Sequence, residues 1–290
     1  MEVLVIGASG ILGQYLLAEA EERHCSVEGT YHSDPVDGLK KVDLADSTAV
    51  GETVKSMKPD VVLLSGAMTS VDDCESHPDY ARMVNSEAPL IAAEACRAIG
   101  ARLVYFSTDY VFDGSSGQSD EEKQPIPINV YGRTKLEGER NVLSVLPSSL
   151  VIRTCANFGR NRFRSKENSV TWIINKLRCN ENVNLFVDQW VSPSYAPEVA
   201  KVTFDLLRKE IPGIFHVASK DCLTRYDIGK RVCSVFKLSD ELIKPAKIAD
   251  AKLLAPRPSK SCLAVGKVER TLDIRMSTFS DCLAKMRDSA

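Results

Sequence analysis

A doubly wound α/β fold with a parallel sheet, and a smaller lobe woven into its C-terminal part, is what this sequence predicts. Three observations predict it. Short apolar runs alternate with helical patterns through the first half of the chain. The first of those runs is followed at once by three glycines at three-residue spacing. The second half is less regular, with no internal repeat and no low-complexity linker. Parallel strands need crossover helices on both faces of the sheet, so four βα repeats in a row point to that architecture.

The elements follow in order. The apolar run 3–6 precedes a helix over about 11–23, and the run 27–31 precedes a helix near 47–57. The run 61–64 precedes a helix over about 79–99, and 103–106 precedes one over about 129–145. The run 150–153 closes the series. Beyond it, 170–177, 197–207 and 226–236 read as helices and 214–217 as a strand, while Pro256 and Pro258 stop any helix near them. The second half therefore reads as a lobe sharing an interface with the first and no clean hinge. Ligands usually sit in such clefts, outside the carboxyl ends of parallel strands.

Composition removes several function classes. In 290 residues, 37 basic and 39 acidic side chains leave a net charge of −2 with no long basic run. That gives no electrostatic reason to expect nucleic acid or an anionic membrane as a partner. The start Met1-Glu2 has no basic region of the kind that opens a signal peptide, and 3–18 is too short and too polar to span a bilayer. Nine scattered cysteines without a C-x-x-C pair read as reduced, mostly buried thiols of a cytoplasmic protein. Four histidines (24, 32, 77, 216) form no metal-ligand spacing, so no metal is expected.

The chemistry-bearing residues sit at strand ends. Gly7, Gly10 and Gly13 follow the first strand and open a helix, which is the setting of a dinucleotide pyrophosphate cradle; Ile11 and Leu12 lie within it. The second strand ends Tyr31-His32-Ser33, with no acid until Asp34. A ribose 2′-phosphate would meet hydroxyl and imidazole donors at Tyr31, His32 and Ser33 and no repelling charge. NADPH is thus the expected coenzyme, with NADH as second choice. Asp43 and Leu44 are placed for adenine, and Ser65, Gly66 and Ala67 for the ribose and nicotinamide end. The acidic run Asp120-Glu121-Glu122 reads as a solvated loop.

Tyr131 and Lys135 are four residues apart, on one face of a helix that Asn129 can cap. Moving a phenol from near 10 to near 7 takes about 4 kcal/mol. An ammonium about 4 Å away, at an effective dielectric near 20, supplies about that much. Thr108 can hydrogen-bond a carbonyl oxygen as charge grows on it. Asp109 either contacts a sugar hydroxyl or caps the turn. Thr108, Tyr131 and Lys135 together describe hydride transfer to or from a carbonyl, with Tyr131 and Lys135 also touching the coenzyme.

With these residues in hand, the chain resembles the extended short-chain dehydrogenase/reductases, and within them the dTDP-4-dehydrorhamnose reductase branch. The motifs that carry the resemblance run through nearly the whole length. They are Gly7 to Gly13, Met68-Thr69-Ser70-Val71-Asp72 with Glu75, Val84-Asn85, and Ser107-Thr108-Asp109-Tyr110-Val111-Phe112-Asp113-Gly114. They continue with Tyr131 to Glu139, Asp188-Gln189 with Ser192-Pro193-Ser194, and Arg257-Pro258 with Ser261 and Leu263. The resemblance implies a Rossmann domain over 1–155 with a contribution from about 187–215, and a substrate lobe over 156–290. It implies reduction by NADPH of the C4 ketone of a nucleotide-diphosphate 4-keto-6-deoxy sugar, as in dTDP-L-rhamnose synthesis. Val71, Thr108, Asp109 and Asn157 would then touch the substrate, and a homodimer is compatible. The chain departs from the branch at Cys155-Ala156-Asn157-Phe158, where bacterial members often carry Ser-Trp, so sugar contact must come from elsewhere, with Asn157 the candidate. The branch is also similar to the regulatory β subunit of methionine adenosyltransferase, a cofactor-binding interaction protein. A nucleotide-sugar epimerase or dehydratase is the third alternative.

Overall fold

In the computed structural model, which describes residues 1–163 and 167–289, strands and helices alternate from the first residues onward. The order is β1 (Glu2–Ile6), α1 (Gly13–Glu22), β2 (Ser26–Tyr31), β3 (Lys40–Lys41), α2 (Ser47–Met57) and β4 (Val61–Leu64). Then come α3 (Val71–Ser76), α4 (Pro78–Arg82), a π turn (Met83–Glu87), α5 (Ala88–Ile99) and β5 (Arg102–Thr108). A single 3₁₀ turn (Asp109–Val111) leads towards α6 (Val130–Val145), β6 (Leu150–Thr154) and α7 (Ser169–Arg178). The chain ends with β7 (Val183–Phe186), β8 (Trp190–Val191), α8 (Ala196–Arg208), β9 (Gly213–His216), β10 (Leu223–Thr224), α9 (Arg225–Phe236), β11 (Ile243–Ala246), α10 (Gly266–Leu272) and α11 (Phe279–Asp288).

Seven strands form one parallel sheet in the order β3-β2-β1-β4-β5-β6-β9. The sequence order reverses direction at β1 and β4, which leaves a crevice at their carboxyl ends. Alternation within each strand divides the core. Val3, Val5, Leu63, Val104 and Ile152 point into one apolar layer, and Leu4, Ile6, Val62, Leu64, Leu103 and Val151 into the other. Burial on both faces is why these strands read as unbroken apolar runs. The doubly wound α/β expectation is met.

The second half feeds both units. β9 extends the main sheet, and α8 packs on α1, where Arg23 pairs with Glu19 (2.7 Å) and Asp205 (2.9 Å). Two small sheets, antiparallel β10-β8 and parallel β11-β7, lie outside the main sheet. The two-residue strands β8 and β10 carry too little alternation to be seen in sequence. The expected helix over 79–99 is broken by the π turn, which turns Asn85 inward.

One expectation is corrected. Cys222 and Cys262 form a disulfide, with Cα atoms 5.5 Å apart and 40 residues of separation, so the nine cysteines are not all reduced. Spacing along the chain could not show this, because the fold brings the β9–β10 connection against the segment that follows Pro258.

The largest buried charges sit beside the sheet. Glu139 of α6 and Arg153 of β6 are each 2% exposed. Arg153 donates from Nε to Oε1 (2.9 Å) and from Nη2 to Oε2 (2.7 Å), and Ser107 Oγ donates to Oε1 (2.5 Å). The fork geometry satisfies both ions.

Two outcomes are expected from this architecture. Glu139→Gln leaves the Arg153 charge uncompensated and should lower the unfolding free energy by about 3–5 kcal/mol in guanidinium titrations; a loss under about 1 kcal/mol contradicts the account. Closing the Cys222–Cys262 loop should contribute about 4 kcal/mol by restricting the unfolded chain. Dithiothreitol should therefore destabilise the wild type and leave Cys222→Ser unaffected, and equal curves for the wild type with and without reductant would refute the bridge.

Candidate active site

The carboxyl end of β1 makes the first wall. Gly7 takes φ +87°, and a Cβ there would lie 2.5 Å from Gly66 Cα. At Gly13 it would lie 2.2 Å from Gly7 O, which locks α1 against the strand end. At Gly10 a Cβ would meet only Gly7 O, at 3.3 Å, so the remaining side of that turn is open to the crevice. Ile11 and Leu12 lead into α1, which has no side-chain cap at Leu12, and Gln14 N–H in its first turn is taken by Gly10 O (3.1 Å). The cradle fits a pyrophosphate.

Around it the other expected coenzyme residues gather at neighbouring strand ends. Tyr31, His32 and Ser33 end β2, with His32 and Ser33 exposed. Asp43 Oδ1 accepts from Ala45 N–H (2.9 Å) and lies 3.5 Å from His32 Nε2, so a carboxylate does stand near the end of β2. Adjacency in sequence did not reveal it. Leu44 lies over Gly66, where a Cβ would come within 2.8 Å of its Cδ1. Ser65 Oγ donates to Ile6 O (3.1 Å), tying β4 to β1, and Ala67 follows half-buried. Asn85, from the π turn, brackets Met68 by accepting from its N–H (2.9 Å) and donating to its carbonyl (3.0 Å). That fixes the stretch leading to Val71 at the start of α3. A π turn bends a helix to aim one side chain, which single-period pattern reading misses.

The second wall is β5 and α6. Asn129 caps α6, accepting from Gly132 N–H (2.8 Å), and donates to Pro256 O (2.9 Å). A Cβ at Gly132 would lie 2.1 Å from Tyr110 O, and one at Gly138 2.3 Å from Asn85 O. The helix therefore sits very close to the strand end. Tyr131 is half-buried and packs edge-on against Tyr110 with ring centroids 5.6 Å apart, its phenol close to the Thr108 side chain. Thr108 Oγ1 accepts from Tyr110 N–H (3.2 Å) and donates to Asp109 Oδ1 (3.1 Å).

Lys135 is 2% exposed, donates to Phe106 O (2.7 Å) and lies 4.1 Å from the Tyr105 ring centroid. Burial pulls its ammonium down to about 7, opposed by the charge of Glu139 one turn further along. Burial also pushes the Tyr131 phenol above its ordinary value, with the Thr108 hydrogen bond opposing it. The simple expectation of a phenol acidified by Lys135 does not hold for the protein alone: desolvation outweighs attraction for both groups.

The third wall comes from the second half of the chain. Asn157 donates to Thr154 Oγ1 (2.9 Å), while its Oδ1 is buried without a partner among the described residues. Ala156 before it adopts φ +43°, which aims that turn. Gln189 reaches Tyr110 Oη (3.4 Å) and accepts from Arg225 Nε (3.1 Å). Arg257 pairs with Asp72 (3.0 Å). Asp109 is buried, with both oxygens occupied by side chains. Arg225 had no signal in the sequence, since it matters only through contacts across the fold.

Thr108 and Tyr131 thus lie side by side, with Lys135 one turn further along the same helix. Comparison with known proteins shows the family. Residues 1–290 match the RmlD substrate binding domain. A probable low-salt glycan biosynthesis reductase of Haloferax volcanii is 37% identical over 99% of this chain and 97% of that protein. The methionine adenosyltransferase 2 subunit beta of Bos taurus is 33% identical over 95% of this chain and 84% of its own length. Among solved structures, a hypothetical dTDP-4-dehydrorhamnose reductase from Sulfolobus tokodaii superposes with TM-score 0.88 at 32% identity, covering 97% of this chain and 99% of that one. A dTDP-4-dehydrorhamnose reductase from Clostridium acetobutylicum gives 0.90 at 27%, covering 100% and 99%. On the match across its whole length, this chain belongs to the RmlD substrate binding domain family.

Proposed function

We propose that the protein is an NADPH-dependent reductase of a nucleotide-diphosphate 4-keto-6-deoxy sugar, with dTDP-4-dehydrorhamnose as the leading substrate. What supports this reading is Thr108 beside Tyr131, with Lys135 one turn on, in a chain whose first strand ends in the close-packed glycines Gly7, Gly10 and Gly13. The reductase names of its relatives from Haloferax, Sulfolobus and Clostridium support it. The exposed His32 and Ser33 suit a 2′-phosphate, and the Asp43 carboxylate faces His32 and the Ala45 amide. We take 1–155, with a share of 187–215, as the coenzyme-binding part and the remainder of 156–290 as the substrate lobe.

When bound, the nicotinamide supplies a hydride to C4 of the sugar. The chain does the rest. Tyr131 holds its proton, because burial raises the phenol, and gives it to the carbonyl oxygen as negative charge develops there. Thr108 offers its hydroxyl to the same oxygen. Lys135 would place positive charge beneath the reacting region and hold the nicotinamide ribose. The Asn157 Oδ1, buried without a partner among the described residues, would accept from a sugar hydroxyl in place of the tryptophan of bacterial members, and Val71 would contact the substrate as well.

A second reading is supported by the bovine relative: a coenzyme-binding partner of a methionine adenosyltransferase. A panel of 4-keto-6-deoxy nucleotide sugars with NADPH and NADH separates the two by loss of reduced-coenzyme absorbance. Turnover establishes the reductase. Tight coenzyme binding without turnover, with co-purification of a synthetase, would establish the other.

Two outcomes follow for the reductase. Tyr131→Phe should lower kcat by about 10²–10⁴-fold with NADPH affinity little changed, since general acid catalysis contributes on that scale; an unchanged kcat discards the role given to the phenol. The Lys135 ammonium is present below about 7 and lost above it, while Tyr131 stays protonated throughout. The kcat/KM profile, which reports the free enzyme, should therefore fall as pH rises through about 7. A flat profile into the alkaline range would contradict this assignment.

A further inference from the structure

Asp109 is a buried carboxylate, 2% exposed, with no ion-pair partner among the described residues. Such a group is costly to keep unless its hydrogen bonds are made. They are made by three separate stretches of chain. Thr108 Oγ1 donates to Oδ1 (3.1 Å), while Cys155 Sγ (3.1 Å) and Ser261 Oγ (2.5 Å) donate to Oδ2. Arg225 of α9 acts on it only through its field.

The donor from furthest away is Ser261, which belongs to a strap running from Ala255 to Cys262. That strap is fastened around the site at several points. Ala255 N–H donates to Asp72 Oδ1 (2.9 Å) beside Val71, and Pro256 O accepts from Asn129, the cap of the catalytic helix (2.9 Å). Ser259 Oγ donates to Gly114 O (3.0 Å), and Cys262 ends the strap in the disulfide to Cys222.

A hydroxyl has one proton and two lone pairs. For Thr108, one lone pair takes the Tyr110 N–H and the proton rests on Asp109, which leaves the other lone pair uncommitted with the Tyr131 phenol close by. The oxygen is thereby held from two directions. Rotation of the hydrogen alone moves the proton from Asp109 to a carbonyl oxygen, with no heavy-atom rearrangement. Preorganised donors of this kind supply transition-state stabilisation without reorganisation. We propose that Asp109 is a positioning residue that fixes the Thr108 hydroxyl, and that the strap completes the carbonyl corner of the site by delivering Ser261 to Asp109. This inference rests on the reductase reading for its role in turnover.

The test uses full-length Asp109→Ala, Asp109→Asn and Ser261→Ala, each compared with Thr108→Ala and with the double variant Asp109→Ala/Thr108→Ala. Asp109→Ala should lower kcat by about tenfold or more, with KM for NADPH within about twofold of wild type. Asp109→Asn, which keeps an acceptor for Thr108, should recover most of that loss, and Ser261→Ala should show a smaller fall. In the Thr108→Ala background, Asp109→Ala should change kcat by less than about twofold, because residues acting as one unit are not additive. Losses that multiply, an unchanged kcat in Asp109→Ala, or failure of Asn to rescue a folded protein would overturn the proposal. If Asp109→Ala does not fold, Ser261→Ala decides: an unchanged kcat counts against the strap. Should the wild type turn over no sugar, the reductase reading fails by itself. Crystal structures of the wild type and Ser261→Ala then decide the positioning claim: a Thr108 hydroxyl rotated away from Tyr131 in the variant upholds it, and an unmoved one refutes it.

Discussion

The fork between Arg153 and Glu139 sets the position of everything that could do chemistry here. Tyr131, Lys135 and Glu139 follow one another at four-residue intervals, so they line one face of α6. Glu139 is the anchored end of that row. It is held by Arg153 from β6 and by Ser107, the residue before Thr108 on β5. A slip of the helix along the sheet would break a buried charge pair, which is far more costly than the loss of any surface contact. Glycines 132 and 138 allow the helix to come close enough for that pair to form. The same ion pair that fixes the helix therefore fixes the phenol against the strand end.

Burial then decides the electrostatics. Lys135 is held on a backbone carbonyl and an aromatic face, where its charge is costly, and Glu139 one turn away partly offsets that cost. The phenol is likewise kept in its neutral form. A protonated tyrosine suits a group that gives up a proton when a ketone is reduced. It suits less well a base that must remove one.

Much of this was legible in the chain. Strands buried on both faces announce themselves as apolar runs, and a glycine-spaced turn after the first of them can be read directly. Asn129 was visible as a cap because caps are local, and Tyr131 with Lys135 because a helix repeats. What could not be read depends on distance along the chain. Ser261 meets Asp109 across 152 residues, and Cys222 meets Cys262 across 40. Neither spacing has a period. The two-residue strands β8 and β10 depend on pairing with each other and, for Trp190, with the segment around Lys260. The place of the Lys135 ammonium, on Phe106 O, also depended on what α6 packs against.

Transfer of deuterium from NADPH labelled at C4 of the nicotinamide tests the central claim most directly. The account predicts that, with one of the two labelled epimers, deuterium appears at C4 of the product sugar, and that Tyr131→Phe suppresses its appearance without releasing the coenzyme. Coenzyme that binds tightly, yet never delivers its label to any 4-keto-6-deoxy nucleotide sugar offered, would contradict it.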